Sequence, residues 1–359
     1  SALRLAQARQ RVLVLERAVP GAEASSAAAG ILAAQAESRE PGPLFDLAIE
    51  SRDRYAALAR ELREQTGIDV GLRPTGVIEL AESSERLDAL DASFAWQRAL
   101  GHPVERVDAA GLRRMEPAID PGFAGAIAFE RDAQVDPAAL VSAVAQAAER
   151  AGVTFVTGAT VRGLRVEAGV ALGVEVDAEC LFGGHVVIAA GAWSPLVRGA
   201  NVSPEAVKPA RGQIVELAVR TPPITRVVYG HGGYLVPRAD GRVLCGSTLE
   251  FVGFQREVTA AGLSKILTMA TGLVPTLADA AVRRTWANFR PWSADGAPLV
   301  GDGGVKNLTL ATGHYRSGIL LAPATAERVR AHVIEGRAET GAPWDPGQRA
   351  RPPATEARP

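Results

Sequence analysis

The sequence predicts a mixed α/β (α+β) protein in which βαβ-type pieces are interleaved with a mostly antiparallel sheet and its helices. Three observations carry this. An amphipathic helix over residues 1–8 leads into an apolar strand over residues 11–17 that ends in an acid. A strand over residues 185–190 that reads as wholly buried runs into a turn at Gly191, and residues 308–334 read as strand, glycine turn and helix. Between these lie short strands separated by turns, as in an antiparallel sheet. The two patterns alternate along the chain, so two discontinuous domains are expected. One comprises residues 1–45, 136–205 and 281–338, the other 46–135 and 206–280, with 339–359 a disordered tail rich in Pro, Ala and Arg.

Element by element, the small-residue run 24–32 suits a backbone passing close to a bulky group, or an alanine-rich helix or loop with no ligand. Residues 46–67 and 83–100 read as long helices, 70–80 as strands with a turn at Pro74-Thr75-Gly76, and 107–112 as the start of a short helix. Asp136-Pro137 has the cap and first-turn chemistry of a helix start, and Gly152 ends that helix. Strands are expected over 153–156, 160–166 and 173–176. A second set follows over 211–217, 225–229, 234–237 and 243–247, with Asp240-Gly241 a hairpin turn. A helix over 263–272 precedes strands at 282–290, 298–301 and 308–311. Gly313 then breaks the chain and Ser317 can cap the last helix.

Composition excludes several classes. Of 359 residues, 47% are hydrophobic and 22% charged, ordinary for a globular protein. Lys+Arg is 39 against Asp+Glu 40, so no basic excess points to nucleic acid. No apolar run reaches transmembrane length. Cys180 and Cys245 form neither a disulfide framework nor a zinc site, and a cytoplasmic, reducing setting is expected. The five histidines are dispersed, against a metal site. There is no G-x-S-x-G and no Walker A motif.

Glu16 stands where the acid at the end of a second strand bonds a dinucleotide ribose, or else it is a solvated strand-end charge. The helix start near Ser317, with Arg316 beside it, suits an anion or the electron-rich side of a redox ring; the alternative is an ordinary β-turn-α connection. Tyr234 follows two glycines at a strand start, and Arg290 ends an apolar strand. Together a phenol and a guanidinium are what a small carboxylate needs. Apart, each can be a core tyrosine or a solvated arginine.

Taken together, the segments 13–17, 25–32 (SSAAAGIL), 187–194 (VIAAGAWS), 208–213 (KPARGQ), 234–238 (YLVPR), 246–249 (GSTL), 286–291 (WANFRP), 295–301 (DGAPLVG) and 313–325 resemble the D-amino-acid oxidase superfamily of FAD-dependent oxidoreductases, its glycine oxidases of thiamine biosynthesis above all. The segments come in family order. The resemblance implies an FAD-binding Rossmann-like domain interleaved with an antiparallel-sheet substrate domain, and non-covalent FAD. It implies that Glu16 and Arg17 bind the adenosine side, that Val161 holds the adenine through its backbone, and that Ser25, Ser26, Ala29, Gly30, Ile31 and Leu32 line the flavin. Ala190, Gly191 and Trp193 would flank the dinucleotide. His314, Tyr315, Arg316, Ser317, Gly318, Ile319 and Leu320 would contact the flavin ring. Tyr234, Arg290 and Arg316 would form the substrate end, with Arg290 the main carboxylate anchor and Ile31, Gly232 and Leu249 shaping the pocket. His314 would act through its backbone or a turn bond.

The activity so implied is oxidation of glycine, sarcosine or a small D-amino acid by hydride transfer to flavin, with dioxygen as oxidant and an imine or oxo acid, ammonia and hydrogen peroxide as products. A homo-oligomer and a functional partnership with thiazole synthase are implied with it. Two other readings stand beside it: a dehydrogenase on the same scaffold using a quinone or protein acceptor, and a flavin-free, non-catalytic subunit. Ser1 aligns just after the third glycine of a G-x-G-x-x-G loop, and the expectation is a chain truncated at its N-terminus that natively carries this loop.

Overall fold

The architecture is that of a computed structural model, which describes residues 1–177 and 179–349. Its largest element is an eight-stranded sheet in the order Ala281–Ser293, Val207–Ala218, Arg242–Gly246, Gly233–Pro237, Val227–Gly230, Val77–Ala81, Gly125–Phe129 and Glu105–Asp108. All neighbours are antiparallel except Val227–Gly230 with Val77–Ala81. The hairpin at Asp240-Gly241 forms as expected, closed by Arg238 N–H to the Arg242 carbonyl at 2.8 Å.

The parallel pieces are smaller. Leu13–Glu16 pairs in parallel with Thr154–Thr157. Val186–Ile188 pairs in parallel with Leu308–Thr312, which pairs antiparallel with Leu299–Asp302. A three-stranded antiparallel sheet, Val161–Glu167, Val170–Val176 and Glu179–Phe182, lies between them in sequence.

Helices cover these sheets as their apolar stripes require. Pro137–Arg150 starts at Asp136, whose carboxylate accepts from the Ala138 and Ala139 amides at 3.0 and 3.2 Å. The long helix Gly318–Glu335 ends at Gly336 in the left-handed conformation. Its N-cap is Ser317 as expected, but no side chain caps it, so this end stays open.

Several expectations are corrected. The helix expected over 46–67 is two, Pro43–Asp53 and Tyr55–Thr66; the Arg54 amide bonds the Ser51 carbonyl, a tight turn that redirects the axis. The helix over 83–100 likewise breaks at Phe94, which is fully buried. Residues 105–108 form an edge strand, and Asp108 caps the helix Ala109–Met115 through the Gly111 amide at 2.6 Å.

Core contacts and strand pairing also cross the boundaries drawn from the sequence. Leu47, Ala48, Tyr55 and Leu62 share a core with Leu140, Leu320 and Leu321, so the helices after residue 43 belong with the βαβ-type pieces. The strand Ala281–Ser293 belongs to the large sheet, since it pairs along Val207–Ala218. The tail expected from residue 339 is packed over its first part. Trp344 is 6% exposed in that same core, and its carbonyl accepts from the Val300 amide at 2.9 Å. The remainder of that tail, 350–359, lies outside the described residues. Among the described residues no helix is long and apolar enough to cross a membrane.

Candidate active site

One cleft of about 2520 Å³ lies between the large sheet and the parallel pieces. It is lined by Glu16, Arg17, Ser25, Ala29, Gly30, Ile31, Val161, Ala190, Gly191 and Trp193, and by the whole turn from His314 to Leu320. Tyr234, Arg290 and Gly232 line it too. Three expected residues are not brought there. Leu32 is fully buried in the core beside the cleft, because successive strand residues point to opposite faces and Ile31 takes the cleft side. Ser26 turns its hydroxyl toward Gly21. Leu249 is 43% exposed and outside the cleft wall.

Two polar side chains of the cleft, Arg290 and Tyr234, are seated on glycines. Arg290 lies over Gly212, where any Cβ would overlap its guanidinium. Its Nη1 donates to the Thr248 carbonyl at 3.2 Å and its Nη2 to Ser247 Oγ at 2.5 Å. Tyr234 stands opposite Gly246 in the sheet register, and a Cβ there would meet its phenol ring at 2.7 Å. The RG and GS pairs of segments 208–213 and 246–249 are thus platforms for these side chains. Among the described residues, two hydrogen bonds to protein acceptors engage the guanidinium of Arg290, which carries five N–H groups.

The turn before the long helix is built to hold its shape. Tyr315 has φ +48°, and its amide donates to the Pro291 carbonyl at 2.9 Å, tying the turn to the strand that carries Arg290. Arg316 packs its guanidinium 5.2 Å from the Tyr315 ring centre. Burial pushes His314 down to about 4, and its Nε2 bonds Thr325 Oγ1 at 2.9 Å within the helix, so the ring is neutral and structural. The facing turn at Gly191 is braced by Ser194 Oγ and Thr312 Oγ1, each donating to the Gly191 carbonyl at 2.9 Å. Trp193 carries Arg17 4.4 Å from its ring centre and stacks on Phe254 at 5.1 Å.

Two groups that sequence reasoning missed hold the small-residue wall in place. Arg238, 4% exposed, donates to Gln134 Oε1, the Val135 carbonyl and the Ala29 carbonyl at 2.8, 2.7 and 2.6 Å. Trp286 Nε1 donates to the Ala27 carbonyl at 3.0 Å. Arg238 ends the YLVPR segment, so the signal was a charge closing an apolar strand, but its partners lie more than a hundred residues away. Further on, buried Asp132 accepts from the Gln35 and Ala36 amides at 3.1 and 2.9 Å and from Arg52 Nη1 at 3.1 Å. Its burial pushes the carboxyl up to about 6 against those donors.

These features fit a bound dinucleotide. Glu16 closes the strand Leu13–Glu16, and a Cβ at Gly191 would meet nothing within 4 Å, leaving that wall open to a large group. The uncapped helix end beside Arg316 is electropositive. Residues 1–331 match the family described as DAO, FAD dependent oxidoreductase.

The chain belongs to the DAO family of FAD-dependent oxidoreductases. Glycine oxidase of Geobacillus kaustophilus is 37% identical to this DAO-family chain over 340 residues, 94% of the chain and 89% of the relative. The crystal structure of glycine oxidase from that organism matches with a TM-score of 0.90 at 36% identity, covering 96% and 94% of the two chains. The bifunctional protein ThiO/ThiG of Synechocystis sp. is 36% identical over 340 residues, 93% of this chain, which spans 49% of that longer relative. Iminodiacetate oxidase from Chelativorans sp. matches with a TM-score of 0.84 at 28% identity, covering 94% and 92%. The DAO fold and its FAD dependence therefore hold for this chain.

Proposed function

We propose that the protein is an FAD-dependent oxidase of glycine or a close small amine such as sarcosine or a small D-amino acid, forming an imine or oxo acid, ammonia and hydrogen peroxide. The observation that carries this is the pairing of Arg290 over Gly212 with Tyr234 over Gly246 in one cleft. The guanidinium binds the substrate carboxylate and the phenol donates one more bond, which orients the amine-bearing carbon.

Bound FAD supplies the hydride acceptor, and its reoxidation by dioxygen yields the peroxide. Glu16 and Arg17 hold the adenosine side and Val161 the adenine through its backbone. Ser25, the 29–31 wall, Ala190, Gly191 and Trp193 flank the dinucleotide. The turn from His314 to Leu320 borders the ring, where Arg316 and the open helix end supply positive potential. Ile31 and Gly232 shape the substrate pocket. The amine is oxidised as its free base, so no proton relay is needed, and neutral His314 stays outside the chemistry.

The similarity to glycine oxidases supports glycine as substrate. The similarity to ThiO/ThiG supports thiazole synthase as functional partner and consumer of the imine. A cytoplasmic, homo-oligomeric enzyme completes this reading; Cys180 and Cys245 are both free thiols.

The test is the visible spectrum of the purified, FAD-loaded protein under anaerobic glycine, sarcosine and D-proline, followed by air. Bleaching with stoichiometric peroxide on reoxidation is expected. Bleaching without peroxide would favour the dehydrogenase reading, and a flavin that none of the three bleaches would overturn the proposal.

A further inference from the structure

The substrate end of the cleft also holds a carboxylate that carboxylate capture does not use. Glu37 lines the cleft with Tyr229, Tyr234, Arg290 and Arg316. Tyr229 Oη donates to Glu37 Oε1 at 2.7 Å. Tyr229 faces Tyr234 directly across the antiparallel pair, with ring centres 6.1 Å apart. Glu37 is therefore tethered beside the phenol assigned to the substrate.

Its backbone is anchored as well. The two preceding amides, Gln35 and Ala36, are held by Asp132, which is fully buried and paired with Arg52. Gln97 Nε2 donates to the Gln35 and Ser38 carbonyls at 2.9 and 3.2 Å, gripping the loop on both sides of Glu37. The carboxylate is thus held in place although its side chain is exposed to the open cleft. Arg316 feels it. Burial works to lower the Arg316 pKa, but Tyr315 and Glu37 raise it above its ordinary value.

We propose that Glu37 determines specificity by confining the site to amines that carry a single carboxylate. Arg290 and Arg316 against Glu37 leave one net positive charge, which one substrate carboxylate satisfies. A second carboxylate, as in iminodiacetate or D-aspartate, meets Glu37, while the other arginines of this wall, Arg39 and Arg86, are paired with Glu79. Discrimination of this kind works by an unfavourable contact with the wrong ligand. The inference rests on the amine-oxidase reading for its substrate class.

The test uses the FAD-loaded protein and the isosteric variant Glu37→Gln, which keeps an acceptor for Tyr229. Acetate and malonate are titrated against the flavin spectrum, a binding readout that needs no turnover. Then kcat/KM is measured for glycine and iminodiacetate. The wild type is expected to prefer the monoacid in both. Glu37→Gln should shift both ratios toward the diacid by about tenfold or more, the range expected for relief of one like-charge contact. Tyr229→Phe, which frees Glu37, should shift them the same way by less. Ratios within twofold of wild type in Glu37→Gln would overturn the proposal, as would a wild type that binds acetate and malonate equally. If no amine is oxidised, the oxidase reading fails while the two titrations still decide the role of Glu37.

Discussion

The hydroxyl of Tyr55 donates to the carbonyl of Ile319, the acceptor left without a helical partner because Pro323, four residues on, has no N–H. The side chain of one helix thus completes the backbone of another at the end that borders the cleft. Tyr55 is 1% exposed, so no water replaces it if it is lost.

Replacing Tyr55 with Phe should cost roughly 1–3 kcal/mol by orphaning that carbonyl. It should also loosen the helix start. Thermal unfolding of the holoprotein and the FAD dissociation constant measure the two effects. A midpoint and an affinity both equal to wild type would show that the carbonyl finds another donor.

Gly212 and Arg290 make a paired prediction. Arg290→Leu should raise KM for glycine on the order of a hundredfold, the cost expected for losing one partner of a charge-assisted pair. Gly212→Ala should do nearly the same with Arg290 still present, because a Cβ overlaps the guanidinium. Flavin content should be normal in both. Unchanged KM in Gly212→Ala would show that the arginine can be seated elsewhere.

Arg238→Met tests the floor of the small-residue wall. The variant leaves the Ala29 and Val135 carbonyls and Gln134 Oε1 without their donor. A loss of about 1–3 kcal/mol for each orphaned buried acceptor is expected. Weaker FAD retention should accompany it, since Ala29 lines the cleft. Denaturant unfolding and flavin release on dilution report the two outcomes.

The pH dependence of stability sets His314 against Asp132. The His314 pKa is depressed to about 4 in the fold. Its contribution is fully present above the unfolded value of about 6.5 and is lost as pH falls toward 4, by about 3 kcal/mol in all. Asp132, raised to about 6, acts in the opposite sense, its contribution being lost as pH rises from about 4 to 6. These two arms oppose one another in this window. His314→Gln removes one arm, so its stability relative to wild type should improve steadily from pH 6.5 to 4.5. A difference between the two proteins that stays constant with pH would refute the assignment.

Much of the fold was legible because its signals are local. The Asp136-Pro137 helix start, the Asp240-Gly241 hairpin and the strand–turn–helix around Gly313 are set by residues within a few positions of one another. So were three of the polar residues that the structure brings to the cleft, Tyr234, Arg290 and Arg316. The alternation of the two patterns along the chain also forced interleaved cores on any compact solution.

What the local signals did not contain was settled by contacts between distant segments. Gly212 stood unremarked within an expected strand until the sheet laid Arg290 across it. Arg238 was only the last residue of the YLVPR segment until folding buried it against Ala29 and Val135. Glu37 and Tyr229, 192 positions apart, were each unremarkable in the chain. Two long helices were split, and Trp344 was drawn into the core, because packing free energy outweighs the local preference on which those expectations stood. Residue type and spacing decide which chemistry a chain can assemble. Only the tertiary structure decides which charges share a cleft, because that depends on strand register, and shifting register by one residue turns every side chain to the other face.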